Sequence, residues 1–114
     1  MSHMFDNSQM LESLNLNIFL TENVKNMSYM FSSTKELKSL DLSNFNTKNV
    51  EDMSYMFSDC QNLIFLGISN FNTNKIIDIK YMFKNCQKLK TIDVSKFNTE
   101  QVEDMSYMFS YCYS

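Results

Sequence analysis

Proline, tryptophan and arginine are absent from this 114-residue chain, and glycine occurs once, at Gly67. Each absence removes a class of function. One glycine cannot build the GxGxxG or GxxxxGK loops that cradle phosphates, so nucleotide binding falls early. Without guanidinium forks, and with a formal net charge of −3, there is no basic stripe for nucleic acid. Cys60, Cys86 and Cys112 are too few and too regularly placed for a disulfide scaffold. No apolar run approaches the ~18 residues of a membrane span, and no charged-then-apolar leader opens the chain. This stretch is therefore not expected to insert into a membrane, and any anchoring segment would lie outside it. What the chain does have is 44% hydrophobic and 20% charged residues, with ten Met and ten Phe, the composition of one globular domain.

Self-similarity dominates the sequence. Met-Ser-Tyr-Met-Phe occurs at Met27 to Phe31, Met53 to Phe57 and Met105 to Phe109, with variants at Ile79 to Phe83 and Met1 to Phe5. Their first residues are 1, 27, 53, 79 and 105, a constant step of 26. The chain is thus read as a single domain, 1–114, made of repeats 1–26, 27–52, 53–78 and 79–104 and a partial repeat 105–114. Met1-Ser2-His3-Met4 has the look of a cloning remnant, but its agreement in phase, with Phe5 following, favours native repeat sequence. On that reading a further repeat precedes Met1 in a longer parent.

Apolar spacing assigns two elements to each repeat. Leu37, Leu40 and Leu42, like Leu63, Leu66 and Ile68, end in a period-two alternation that predicts a short strand with one buried face. Met53, Met56, Phe57 and Cys60 lie at i, i+3, i+4 and i+7, which predicts a short helix capped by Asp52. Asp78 and Asp104 would cap its successors, with Asn26 in the same place one repeat earlier. Asn44, Asn46, Asn70, Asn72 and Asn98 are expected to supply turn chemistry. One repeat cannot offset the entropy of its own ordering, so neighbours must stack through parallel strand pairing.

Leu40-Asp41-Leu42-Ser43-Asn44-Phe45-Asn46-Thr47-Lys48-Asn49-Val50 followed by Asp52-Met53-Ser54-Tyr55-Met56-Phe57 resembles the BspA-type leucine-rich surface-protein repeat, in the form abundant in mycoplasma lipoproteins of unassigned function. The likeness covers nearly the whole chain. It implies an α/β repeat solenoid, right-handed and leucine-rich-repeat-like, whose 26-residue repeats each hold one short parallel strand and one short helix. It also implies a bacterial cell-surface or secreted location, adhesion or host-protein binding, and no catalytic residues.

In such a stack each repeat position becomes a column. Phe19, Phe45, Phe71 and Phe97 are expected to form a buried spine. Tyr29, Tyr55, Tyr81 and Tyr107, continued by His3, are expected to face outward; they are read either as a sticky aromatic ladder or as rings that pack along one another. The cysteine column is expected to be buried, and no metal site is expected because it is in-line rather than tetrahedral.

On the strand face the third repeat departs from the others. Ile64 and Phe65 stand where its neighbours have Lys38 and Ser39 or Lys90 and Thr91, and Gly67 replaces the Asp41 and Asp93 of the same column. Ile64, Phe65, Asp41 and Asp93 are therefore candidate binding residues around a shallow dip, the alternatives being drift in the repeat or a Phe65 ring lying flat over Ser39 and Thr91. Asp41 and Asp93 would lie roughly 10 Å apart at ~4.8 Å per strand. That approaches an inverting-glycosidase pair, but no shielding pocket is evident and no enzyme is expected.

Met10, Ile18 and Leu20 make the first repeat the most apolar, and Met105, Met108 and Phe109 begin a repeat without its strand. End-to-end self-association is a corresponding expectation. The functional expectation is a non-catalytic surface module binding a protein or glycan, needing no cofactor. The rival is a structural spacer or stalk that presents another domain.

Overall fold

The computed structural model describes residues 1–113. Two strands are formed, β1 (Ser39–Asp41) and β2 (Phe65–Gly67), paired in parallel with Leu40 opposite Leu66. No helix occurs among the described residues. The expected α/β solenoid with a strand and a helix in every repeat is therefore incorrect. The body is compact, 32 × 31 × 22 Å along its principal axes.

The segment read as a helix is a run of turns, and its amides show why. Met56, Ser58 and Cys60 donate to the carbonyls of Met53, Tyr55 and Phe57 three residues back, at 3.2, 3.0 and 3.3 Å. Between them, Met53, Tyr55, Phe57 and Asp59 donate to Asp78 at the end of the repeat and to Lys80, Met82 and Lys84 of the next, at 2.8–3.0 Å. An α-helix would direct every amide to its own i−4 carbonyl and leave none for a neighbour. Here alternate amides hold the repeats together instead. The same division recurs from His3 to Asn85.

Such turns need a left-handed residue at their third position. Tyr29, Tyr55, Tyr81 and Tyr107 fill it with φ of 54–57°, and Ser33, Asp59, Asn85 and Tyr111 do so one turn later with φ of 58–62°. The capping role expected of Asp52 also changes. Its Oδ1 accepts from the Ser54 amide at 2.8 Å and hydroxyl at 2.7 Å, an Asx turn that competes with helix. Its backbone forms parallel bridges with Asn26 on one side and Asp78 on the other, and Asp78 continues to Asp104.

Burial follows the columns although the helix is missing. Met27, Met30, Phe31, Met53, Met56, Phe57, Met82 and Phe83 are fully buried, and Leu37, Leu40, Leu42, Leu63 and Ile68 join them in one core. Phe31, Phe57 and Phe83 stack in line at 5.7 Å. Phe45 and Phe71 of the expected spine are buried, while Phe19 and Phe97 are only partly so. Met10, Ile18 and Leu20 remain exposed at 82–87%.

Side chains add rungs that the apolar pattern does not show. Thr47 Oγ1 donates to the Asn72 carbonyl at 3.0 Å and accepts from the Asn72 amide at 2.8 Å; Thr21 with Asn46 and Thr73 with Asn98 do the same. Asn46, Asn72 and Asn98 accept through Oδ1 from the amide two residues on. Asn44 and Asn70 instead donate to Leu16 and Ser43 of the preceding repeat.

Candidate functional site

The strand ladder joins the second and third repeats and goes no further: residues 91–93 of the fourth repeat form no strand. The two repeats are nevertheless tied on either side of this stretch. Asp59 bonds to Lys84 before it, and Thr73 bonds to Asn98 after it. Between these ties residues 91–93 form no strand with β2, and a cleft of about 400 Å³ lies there, lined by residues 64–69 and 91–93.

Ile64 and Phe65 stand at this cleft 56% and 54% exposed, in columns that are polar in the neighbouring repeats. Leu66 and Ile68 are buried in the core and alternate with Phe65 and Gly67, which sets Phe65 outward, while Ile64 is exposed just before the strand begins. Gly67 occupies the place of a column aspartate. A Cβ there would lie 2.8 Å from Asp41 Oδ1 and 3.4 Å from Phe65 Cζ. The absent side chain thus leaves room for the Asp41 carboxylate to settle over the backbone, and its φ is not positive, so space rather than conformational freedom is what glycine provides.

Asp41 is the ladder partner of Gly67 on the β1 side, and Asp93 lines the cleft on the other. Asp41 is held below the usual carboxylate range by the backbone amide of Ser43 and then by its hydroxyl. In Asp93 the Ser95 hydroxyl acts first and the Ser95 amide second. Both groups are solvent-facing carboxylates that stay ionised.

The structure thus gathers Ile64, Phe65 and Asp93 around one cleft and sets Asp41 beside Gly67. It does not bring Tyr29, Tyr55, Tyr81 or Tyr107 there. These stack on one another with centroids 4.5–5.0 Å apart and planes within 15°, and His3 continues the column onto Tyr29 at 4.6 Å. Tyr29, Tyr55 and Tyr81 have a ring on both faces and leave mainly their edges to the solvent, while Tyr107 at the end of the column stacks on Tyr81 alone and is 64% exposed. Lys84 Nζ lies 5.4 Å from the Tyr81 ring centre.

Cys60 and Cys86 are buried, Cys112 is partly buried, and all three are free thiols. Their Sγ atoms donate to the carbonyls of Phe31, Phe57 and Phe83 at 3.1–3.2 Å. Burial pushes the Cys60 thiol up to about 12 and raises Cys86 as well, the opposite of an activated nucleophile. Among the described residues no group of three or more His, Cys, Asp or Glu is arranged to hold a metal ion.

The seat of Asp41 over Gly67 was not read from the sequence. Its signal was present, since the only glycine in the chain falls in the aspartate column. Among known proteins, a family model described as Mycoplasma protein of unknown function, DUF285, matches the chain twice, over residues 1–64 and 42–114. No curated protein and no solved structure matches it.

Proposed function

The chain belongs to the DUF285 family of mycoplasma proteins of unknown function, and we propose that it is a non-catalytic binding module displayed on a bacterial surface or secreted, with the cleft at Ile64 and Phe65 as its contact site. The carrying observation is the exposure of those two apolar side chains over a cleft where neighbouring repeats place Lys and Ser or Thr. Large apolar groups kept half in water beside a cavity are what a partner covers on binding. The resemblance to the BspA-type surface repeat supports the location and the adhesive role.

Against catalysis stand the two carboxyls themselves. A glycosidase acid must hold its proton near neutral pH, and both Asp41 and Asp93 are displaced in the other direction. The buried thiols cannot reach a substrate.

The test is a combined peptide and glycan array probed with the wild type and with Phe65→Ser. Ligands of this site should lose roughly tenfold or more in affinity on losing the aromatic anchor, while the thermal transition stays in place. A chain that binds nothing, or whose ligands ignore Phe65→Ser, is better described as a spacer that presents another domain.

A further inference from the structure

We propose that the cleft takes an extended peptide carrying a lysine or arginine next to a large apolar residue, the apolar side chain resting on Ile64 and Phe65 and the cation over Gly67 between Asp41 and Asp93. This rests on the binding-module reading and names the partner chemistry of the same site.

Three observations carry it. The first is the open strand. β2 is paired with β1 on one side only, and the facing residues 91–93 form no strand. On the facing side the β2 backbone has no ladder partner where it lines the cleft, and an extended peptide offers it donors and acceptors at strand spacing, which a glycan does not. The second is charge. Among the described residues Asp93 is the one ionised residue lining the cleft, and Asp41 reaches over Gly67 from the adjacent strand. Each carboxylate uses Oδ1 to accept from the serine two residues on, at 2.9 and 3.0 Å to the amide, which fixes its orientation. The third is the Phe65 ring, whose Cζ is 3.4 Å from where a Cβ of residue 67 would be. A cation over Gly67 would thus meet an aromatic ring and two carboxylates together.

Polarity along the strand sets the direction. Lys38 and Lys90 occupy the Ile64 column in the neighbouring repeats and are exposed. They repel a cation at that end and leave the Gly67 end as its place. The apolar neighbour then falls on Phe65 and Ile64.

The experiment is fluorescence anisotropy with labelled synthetic peptides of alternating valine and lysine, compared with valine–glutamine, valine–glutamate and serine–lysine versions. The valine–lysine peptide should bind roughly tenfold or more tightly than each of the others. Asp41→Asn combined with Asp93→Asn should remove that preference without moving thermal unfolding, because an asparagine Oδ1 still accepts the serine amide. Gly67→Ala, allowed by its backbone, should weaken binding by crowding the seat. Equal affinity for the valine–glutamine peptide, or undiminished binding by the double variant, overturns the proposal. If the peptides fail while a Phe65-dependent ligand emerges from the array, this inference falls and the binding-module reading stands. If neither appears, both fall.

Discussion

Tyr55 lies face to face on Tyr29, with ring centres 4.5 Å apart and planes inclined by 7°, and both residues have a backbone φ of 57°. The two facts belong together. A left-handed tyrosine costs roughly 1–2 kcal/mol, and asparagine or glycine would fill the turn more easily. Ring stacking contributes about 0.5–1.5 kcal/mol per contact, and Tyr55 makes one with Tyr29 and one with Tyr81. Its amide also bonds to Lys80 of the next repeat. The column thus offsets the strain that each turn imposes.

A substitution series at Tyr55 separates these contributions. Tyr55→Phe keeps the stack and should change stability by less than about 1 kcal/mol. Tyr55→Gly relieves the backbone but loses both ring contacts, and should be moderately destabilising. Tyr55→Val suffers both penalties, with a β-branched residue at positive φ, and should cost roughly 2–4 kcal/mol. Urea denaturation should return the order Phe, Gly, Val. Valine as stable as glycine would show that Tyr55 is not left-handed in solution.

The buried thiols make stability depend on pH at the alkaline end. Cys60 has an ordinary value of 9.0 when exposed and is pushed up to about 12 in the fold, mainly by burial. The unfolded chain therefore loses this proton first as pH rises. Its stabilising contribution is complete below about pH 9 and is lost progressively towards pH 12. Cys86 shifts in the same direction. Denaturant midpoints should fall over this window, and Cys60→Ser with Cys86→Ser should flatten the profile. Native labelling should modify Cys112 well before the other two, because it alone is partly exposed. Equal labelling rates for all three would contradict the buried column.

Lys80 interrupts a stack of like charges. Asp52, Asp78 and Asp104 follow one another through parallel bridges, with Asn26 at the near end donating to Asp52 at 3.1 Å. Where other repeats have serine, the fourth has Lys80, whose Nζ lies 3.1 Å from Asp78 and 4.0 Å from Asp104. The lysine is held above its ordinary value, first by its hydrogen bond to Asp78 and then by that carboxylate's charge. Lys80→Ser restores the repeat and removes the compensating charge. It should lower the thermal midpoint at low ionic strength, and the loss should shrink at about 0.5 M salt, where surface charges are screened. A salt-independent loss would assign Lys80 a packing role.

Much of the arrangement was legible because stacking writes each layer in similar letters. Met53, Met56 and Phe57 are buried as their spacing required, yet the helix inferred from them does not exist. A helix and a run of turns can bury the same i, i+3, i+4 residues, and spacing alone does not say where the amides go. A segment this short has little helical stability of its own, and alternate amides, those of Met53, Tyr55, Phe57 and Asp59, found acceptors 25 residues on. Strands form only in the second and third repeats among the described residues, where Leu40 pairs with Leu66, although the apolar spacing is similar in the first and fourth. Ile64, Phe65 and Gly67 were legible as departures from the repeat. Asp41 resting over Gly67 was not, because a contact between repeats leaves no mark on the periodicity of either.

Thr47 carries the last prediction, since its role is visible only in the bonds between repeats. It is 2% exposed, and its hydroxyl both donates to and accepts from the backbone of Asn72. Valine has nearly the same shape but neither function. Thr47→Val should therefore leave packing intact while removing both bonds to the Asn72 backbone, at about 0.5–1.5 kcal/mol for each. Thr47→Ser keeps both bonds and loses one methyl group, so it should cost only about 1 kcal/mol. The Asn72 amide should exchange faster with solvent deuterium in the valine variant, while the Tyr55 amide, bonded in another column, should not. A valine variant as stable as the serine one would mean that water replaces the rung and that these threonines do not hold the repeats together.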